Sequence, residues 1–360
     1  MAALRPSSDV GVLLLDRRRA SPPAPVGLAW WRRHDVPWSQ TQVDWMRRPD
    51  GHPAYGRVPE DAVRAIDESL RDFDPDVVVI GGLWFHGHLP GLRGRGRQLV
   101  LDAADVEGQL EEVQASAAPA GERTIRAILS RHLGVIEGEA AGAVDQLWAC
   151  SGPDAEALRS RYPGAAPVTV VPNTVDADAL RRPAGATRRD APAVVYPATF
   201  EYAPNHDAAL TLVRDIHPLV RQRFPGATLT LVGAGASQAL RDAAAQVPGV
   251  TVTGPVSDTR PWLWESTVLA VPLRAGSGTR IKVLEAFAAG LPVVTTAKGV
   301  EGIDAVDGEH VLVADSPRQF ADAIATVHDD AEAAAALAGR ARRLVEARYS
   351  TEAARLAVEA

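Results

Sequence analysis

Within Pro272 to Gly302, PLRAGSGTRIKVLEAFAAGLPVVTTAKGVEG, a glycine loop, two cations and a carboxylate gather around one helix start. Ala275-Gly276-Ser277-Gly278 follows a short apolar strand, Val268 to Leu273. Thr279 stands where an N-cap belongs. Arg280 to Ala289 reads as a helix ended by Gly290 at C′, with Pro292 just beyond. Arg280 and Lys282 fall in the first turn, the wrong end for cations, because a helix N-terminus already carries about half a positive charge. Each misplaced cation costs up to roughly 1 kcal/mol at a surface site unless an anion sits there. Backbone N–H groups at a helix start, with glycines that let a ligand approach, make a phosphate site. The same spacing also fits a solvated helix start in which Lys282 pairs with Glu285 three residues on. Lysine occurs only at 282 and 298 in an arginine-rich chain, which sets this one apart.

Strands and helices must position that loop, and the second half of the chain alternates them cleanly. Strands read at Ala193–Ala198, Thr228–Val232, Val250–Thr253, Val268–Pro272, Pro292–Thr296 and Val311–Ala314. Helices read at Asn205–Phe224, Ser237–Gln246, Thr279–Ala289, Pro317–Asp329 and Ala331–Arg348. This alternation predicts a doubly wound parallel sheet whose ligands bind outside the strand carboxyl ends. Gly276–Gly278 lies at such an end, and so does Gly233-Ala234-Gly235.

The first half is less regular. Strands read at Val10–Leu15, Val77–Gly81, Gln98–Asp102, Gln146–Cys150 and Val168–Val171. Helices read near Pro59–Asp72, Glu107–Gln114, Glu122–Gly142 and Asp154–Tyr162. Residues 16–58 show no clean period and carry Trp30, Trp31, Trp38 and Trp45. The boundaries expected are an N-terminal Rossmann-like domain over 1–180, a linker rich in Arg, Pro and Ala over 181–192, and a C-terminal Rossmann-like domain over 193–345. A helical segment, 346–360, is a candidate to pack back on the first domain.

The 360 residues suffice for two domains with proper cores. With 46% hydrophobic and 23% charged residues, the chain has an ordinary globular composition. A net charge of −7 argues against a nucleic-acid binder. A single cysteine, Cys150, excludes an internal disulfide and a cysteine metal cage and fits a reducing cytoplasm. No signal peptide is read at the N-terminus, since Val10–Leu15 is too short for one, and no run approaches the roughly 18 apolar residues of a membrane span. Arginine clusters at 17–19, 32–33, 47–48 and 93/95/97 suit a solvated surface and leave peripheral contact with the inner membrane face open.

Several ordered motifs in this sequence resemble the retaining, GT-B-fold glycosyltransferases of family four. They are FEYAPNHDA (Phe200 to Ala208), IHPLVRQRFPGATLTLVGAG (Ile216 to Gly235), VTGPVSD (Val252 to Asp258), GSGTRIKVLEAFAAGLPVVTT (Gly276 to Thr296) and GVEGI (Gly299 to Ile303). PDVVV (Pro75 to Val79), VLDAADVEGQL (Val100 to Leu110) and VVPNTVD (Val170 to Asp176) extend the likeness into the first half. The resemblance implies an α/β fold of two doubly wound Rossmann-like domains facing across a cleft, the first short or remodelled. It implies a nucleotide-diphosphate sugar bound mainly by the second domain, a hydroxyl acceptor held mainly by the first, and transfer with retention. It also implies neither metal nor cofactor.

On that resemblance Glu285 holds the ribose hydroxyls, and a carboxylate suits the task because it accepts from two adjacent hydroxyls. Arg280 and Lys282 neutralise the diphosphate leaving group. The main chain of Gly276, Ser277, Gly278 and Thr279 holds the sugar or phosphate, with Gly233 and Gly235 nearby, and backbone groups around Gly254 and Val256 meet the base. His88 or His86, in the loop after Val77–Gly81, is the candidate hydrogen-bond donor near the donor sugar. Asp102 and Glu107 are candidates for the acceptor side, with a buried carboxylate capping the next helix as the equal alternative. Asp176-x-Asp178 resembles a metal-binding pair, but its place at a probable helix start favours capping. The cleft is expected to close by hinge motion near 181–192.

The sequence departs from the family pattern at three points. Ser277 stands where family members commonly carry a first glutamate. Thr199-Phe200-Glu201-Tyr202 replaces a basic pair after the first C-terminal strand. Asp16-Arg17-Arg18-Arg19 replaces a glycine-rich loop. These departures keep a second reading open, a catalytically silent GT-B paralogue serving as a binding or scaffold subunit.

Overall fold

Alternating apolar runs and helical periods give three parallel sheets, of two, four and six strands, in this computed structural model, which describes residues 11–16, 30–35, 60–92, 97–117, 120–183, 189–276 and 278–359. Ser277, Trp38, Trp45, the arginines at 17–19, 47–48, 93 and 95, and residues 184–188 of the expected linker lie outside the described residues. The chain divides into Met1–Val171 with Arg355–Ala360, the first unit, and Pro172–Ala354, the second. Among the described residues no helix is long and apolar enough to cross a membrane.

In the first unit β1 (Gly11–Asp16) pairs in parallel with β2 (Trp30–Asp35). The second of these strands lies where the sequence shows no strand period, because WWRRHD does not alternate apolar and polar residues. Then come α1 (Glu60–Phe73), β3 (Val77–Gly81), a 3-10 stretch Leu83–His88, α2 (Leu89–Leu92), β4 (Gln98–Ala103), α3 (Glu107–Ala117), α4 (Ala120–Ala143), β5 (Gln146–Ala149), α5 (Gly152–Arg161) and β6 (Val168–Val170). The strands β3-β4-β5-β6 form one parallel sheet in that order. Leu99, Leu101, Ile136 and Leu147 centre its core.

The second unit is a six-stranded parallel sheet. Its elements are β7 (Ala193–Pro197), α6 (Ala203–Thr211), α7 (His217–Arg223), β8 (Thr228–Val232), α8 (Gln238–Gln246), β9 (Val250–Val252), α9 (Arg260–Trp264), β10 (Val268–Val271), α10 (Ile281–Ala289), β11 (Val293–Thr295), α11 (Ala297–Val300), β12 (Leu312–Val313), α12 (Pro317–Asp329) and α13 (Ala331–Arg348). A last helix, α14 (Thr351–Glu359), follows. The helix expected over Asn205–Phe224 widens into a π turn at Leu212–Ile216. Pro218 has no N–H to give to the carbonyl four residues back, and the wider turn before it accommodates that loss.

Sheet order is β12-β11-β10-β7-β8-β9. The winding reverses between β7 and β10, and the crevice outside their carboxyl ends is where such a sheet binds ligands. Both strands are buried at every position. Helix α10 is nearly apolar all round, with Val283, Leu284, Ala286, Phe287, Ala288 and Ala289 buried. Phe287→Ala alone would cost about 3–5 kcal/mol of that core. Ile281, Lys282 and Glu285 are left on its uncovered facet.

Candidate functional site

The loop after β10 reaches α10 through two glycine-dependent steps, and a third glycine ends the helix. Gly276 has φ +129° and Gly278 φ +70°, backbone that L side chains rarely adopt, and Gly290 closes the helix at φ +69°. A side chain at Gly276 would meet Arg280 Nη2 at 3.4 Å and the Tyr202 hydroxyl at 3.6 Å. Arg274 fixes the loop to α6 by a bidentate pair with Asp207, at 3.0 and 2.6 Å. The N-cap is Arg280, not the expected Thr279, and its side chain makes no cap hydrogen bond. Thr279 is buried just before it.

Arg280 is 7% exposed. Its guanidinium folds back over the loop, donating to the carbonyls of Gly278 and, at 3.3 Å, Lys298. Lys282 does not pair with Glu285. Its Nζ donates to Asn205 Oδ1 at 2.9 Å and stands 4.2 Å from the Tyr196 ring centroid. Burial, and then the neighbouring Arg280, push its pKa down to about 7 against the pull of Glu285. Burial raises the pKa of Glu285, opposed by Lys282. The result is a helix start with two cations and, three residues on, a half-buried carboxylate.

The loops after β7 and β8 press together beside this site. The Gly233 and Gly235 positions are set by that packing: a Cβ would lie 2.0 Å from the Ala198 carbonyl in one case and 2.4 Å from Glu201 Cγ in the other. Both glycines are therefore turned onto the neighbouring loop. Gly254, at φ +73°, has open space on its Cβ side, whereas Val256 is half-buried against the core. Gly299 is forced by Thr295 Oγ1, 2.1 Å from its would-be Cβ.

In the first unit, His86 is 6% exposed with Nε2 3.4 Å from Glu139 on α4. The tight 3-10 turn Leu83–His88 folds His86 inward. His88 is half-buried, its pKa lowered by burial against the opposing influence of Asp67. Asp102 is exposed at the end of β4. Glu107 does start α3, but the carboxylate that caps α3 is Glu137, 2% exposed on α4. It accepts from the Glu107 and Gly108 N–H groups at 2.8 and 3.3 Å and from the Tyr162 hydroxyl at 2.5 Å. Burial and the carboxylates of Asp105, Glu137 and Glu111 push Glu107 up to about 7. Asp176 Oδ1 accepts from the N–H groups of Asp178 and Ala179 at 3.1 and 2.9 Å, so it caps a turn. Among the described residues no group of three or more His, Cys, Asp or Glu is arranged to hold a metal ion.

A cationic helix start and a nearby carboxylate at the reversal point of a doubly wound sheet fall within residues 191–330, and this stretch matches the family described as glycosyl transferases group 1. That match lies wholly within the second unit, which is therefore similar to a group 1 glycosyltransferase domain. A glycogen synthase of Mycobacterium tuberculosis is 32% identical over 227 residues, covering 59% of this chain and 52% of that protein, so the chain spans about half the length of this relative. Sucrose-phosphate synthase from Thermosynechococcus elongatus superposes with a TM-score of 0.72 at 18% identity, over 99% of this chain and 89% of that one. Anabaena HepE, solved with UDP-glucose, gives 0.65 at 14% identity, over 82% and 80%. The fold class is that of the GT-B glycosyltransferases.

Within residues 191–330, sequence reasoning singled out Arg280, Lys282 and Glu285, and the structure places Lys282 and Glu285 on one facet of α10 with Arg280 buried at its start. It assigned no role to Asn205 or Tyr196, which hold Lys282 although Asn205 lies 77 residues away from it. Asn205 does lie inside the motif FEYAPNHDA, and that was the available signal. Glu137 also went unnoticed, yet it stands at apolar-face spacing with Leu133 and Ala141, and a charge on such a face needs a partner.

Proposed function

We propose that the protein is a retaining glycosyltransferase that moves a sugar from a nucleoside-diphosphate sugar to a hydroxyl acceptor. The observation that carries this reading is the start of α10, where Arg280 and Lys282 stand at the sheet's reversal point and the N-cap residue, Arg280, makes no side-chain cap. A diphosphate there meets backbone N–H groups, the positive end of the helix dipole and two cations. Glu285 forms no hydrogen bond or ion pair among the described residues, and its half-buried carboxylate is suited to accept from ribose hydroxyls. Family likeness over 191–330 and the UDP-glucose carried by the fold neighbour HepE support a nucleotide sugar as donor.

In this reading the bond from the anomeric carbon to the leaving phosphate oxygen breaks as the acceptor oxygen bonds to the same face. The acceptor's hydroxyl proton passes to that phosphate oxygen. Charge builds on the diphosphate, and Arg280 and Lys282, rather than a metal ion, are the groups that meet it. The acceptor is assigned to the first unit, where Asp102 is the exposed carboxylate at a strand end.

Thermal stabilisation by UDP, GDP, ADP, TDP and their common sugars tests the reading. A ligand at about 100 times its Kd adds roughly 2.7 kcal/mol. A response to one nucleotide that Glu285→Ala abolishes is the expected result. No response to any of the panel would sink it.

A further inference from the structure

Asn205 makes three hydrogen bonds that fix its amide. Its Nδ2 donates to the Thr199 carbonyl at 3.0 Å, and its Oδ1 accepts from the Tyr196 hydroxyl at 3.1 Å and from Lys282 Nζ at 2.9 Å. Tyr196 is fully buried in β7, and its ring face lies under the same ammonium. Lys282 therefore rests on an amide oxygen and a π face, both neutral. The charged groups around it come from three elements. Arg280, on the loop, repels it. Glu285, on α10, attracts it but forms no ion pair with it. Asp207, on α6, is occupied by Arg274.

Most half-buried lysines in such a place would hold a carboxylate. An incoming phosphate would then have to displace a charged partner, and separating a buried ion pair is strongly unfavourable. An amide oxygen gives up its donor at far lower cost, since a neutral hydrogen bond contributes only about 1 kcal/mol net.

We propose that Asn205 and Tyr196 are positioning residues that hold Lys282 on a neutral cradle, and that Lys282 completes its protonation only when the donor's diphosphate arrives, so that nucleotide binding takes up a proton. The proposal rests on the donor reading of this site. Burial and Arg280 favour the uncharged amine in the empty protein, and the phosphate anion reverses that balance. A lysine with its pKa pushed down to about 7 is mostly uncharged at pH 8.

The test exploits composition, because Lys282 and Lys298 are the only lysines in the chain. Protein labelled with 15N at the lysine side chain gives two side-chain signals, and Lys298→Arg assigns them. In the free protein the Lys282 signal should titrate near 7, and saturation with UDP or inorganic pyrophosphate should raise that midpoint by about 2–3 pH units. Calorimetry at pH 8 in two buffers of different ionisation heat should report uptake of about 0.9 proton per nucleotide, the uncharged fraction at that midpoint. Asn205→Asp supplies the missing carboxylate, so it should return the midpoint to about 10.4 and abolish the uptake.

A Lys282 midpoint near 10 in the unmodified free protein overturns the cradle, and this reading needs no variant to fold. Nucleotide binding without proton uptake overturns the linkage alone. Binding of neither pyrophosphate nor any of the four nucleoside diphosphates overturns the linkage together with the donor reading.

Discussion

In the first unit α3 starts beyond the carboxyl end of β4, and Glu137 reaches across from α4 to accept from two of its N–H groups. In the second unit α10 starts beyond β10, its N-cap residue Arg280 makes no side-chain cap, and its first turn carries Lys282. Both helices present the same partial positive charge. One receives a buried carboxylate from within its own unit, with Tyr162 bonded to the same group. The other has added cations, which make its start costly until an anion arrives. A helix N-terminus therefore points to a ligand only where the chain has not already supplied the anion. The surplus differs in sign as well. Around the α3 cap, Asp105, Glu107 and Glu137 line a cavity of about 50 Å³ and crowd negative charge, whereas the α10 start crowds positive charge.

The contrast predicts its largest effect at the cations. Lys282→Ala and Arg280→Ala should each lower turnover by about 10²–10³-fold, the loss typical when one group that meets developing charge is removed. Circular dichroism should show the fold retained. Full activity in either variant would remove that residue from the leaving-group role. Glu285→Gln comes next. Losing a charged acceptor for ribose hydroxyls costs about 1.5–3 kcal/mol, or roughly 10–100-fold in nucleotide affinity measured by calorimetry. An unchanged Kd would return Glu285 to a purely structural place on α10.

The internal cap breaks differently. Glu137→Ala leaves two buried N–H groups and the Tyr162 hydroxyl without their acceptor, at a cost of about 1–3 kcal/mol per donor left unsatisfied. Its melting temperature should fall by several degrees while UDP affinity stays unchanged. Weakened UDP binding with an unchanged melting point would mean that the two helix starts do not play the separate parts assigned to them.

The strand ends and the glycine loop were legible because their signals are local. Thr228–Val232, Val77–Gly81 and Pro317–Asp329 coincide with the residues expected from apolar period and caps. Gly290 closes α10 as its position after Ala289 requires. What stayed hidden depends on distance or brevity. The Glu137 cap spans 30 residues and the Asn205–Lys282 bond 77, and neither pairing leaves a mark on its neighbours in sequence. Strand β2 is fixed by its pairing with β1 rather than by alternation. Short α9 and α11, at five and four residues, span little more than one turn, too short for a helical period to repeat.

The smallest predicted effect sharpens the comparison through pH. Glu107 is raised from an ordinary 4.5 to about 7, so the folded chain keeps a proton in that window which the unfolded chain has released. Its stability contribution is therefore full below about 4.5 and lost as pH rises through 7. Glu107→Gln mimics the protonated form. It should match the wild type near pH 4.5 and exceed it by about 2–4 °C in melting temperature at pH 8. Lys282 runs the other way. Lowered from 10.5 to about 7, it costs stability in full below 7, and that cost fades as pH approaches 10.5. Lys282→Met should accordingly stabilise the protein most at pH 6 and least at pH 10. Melting curves of the two variants across this range should thus diverge from the wild type at opposite ends. A constant offset for Glu107→Gln at every pH would show that its effect is packing rather than charge, and the acidic surplus assigned to the first unit would fall with it.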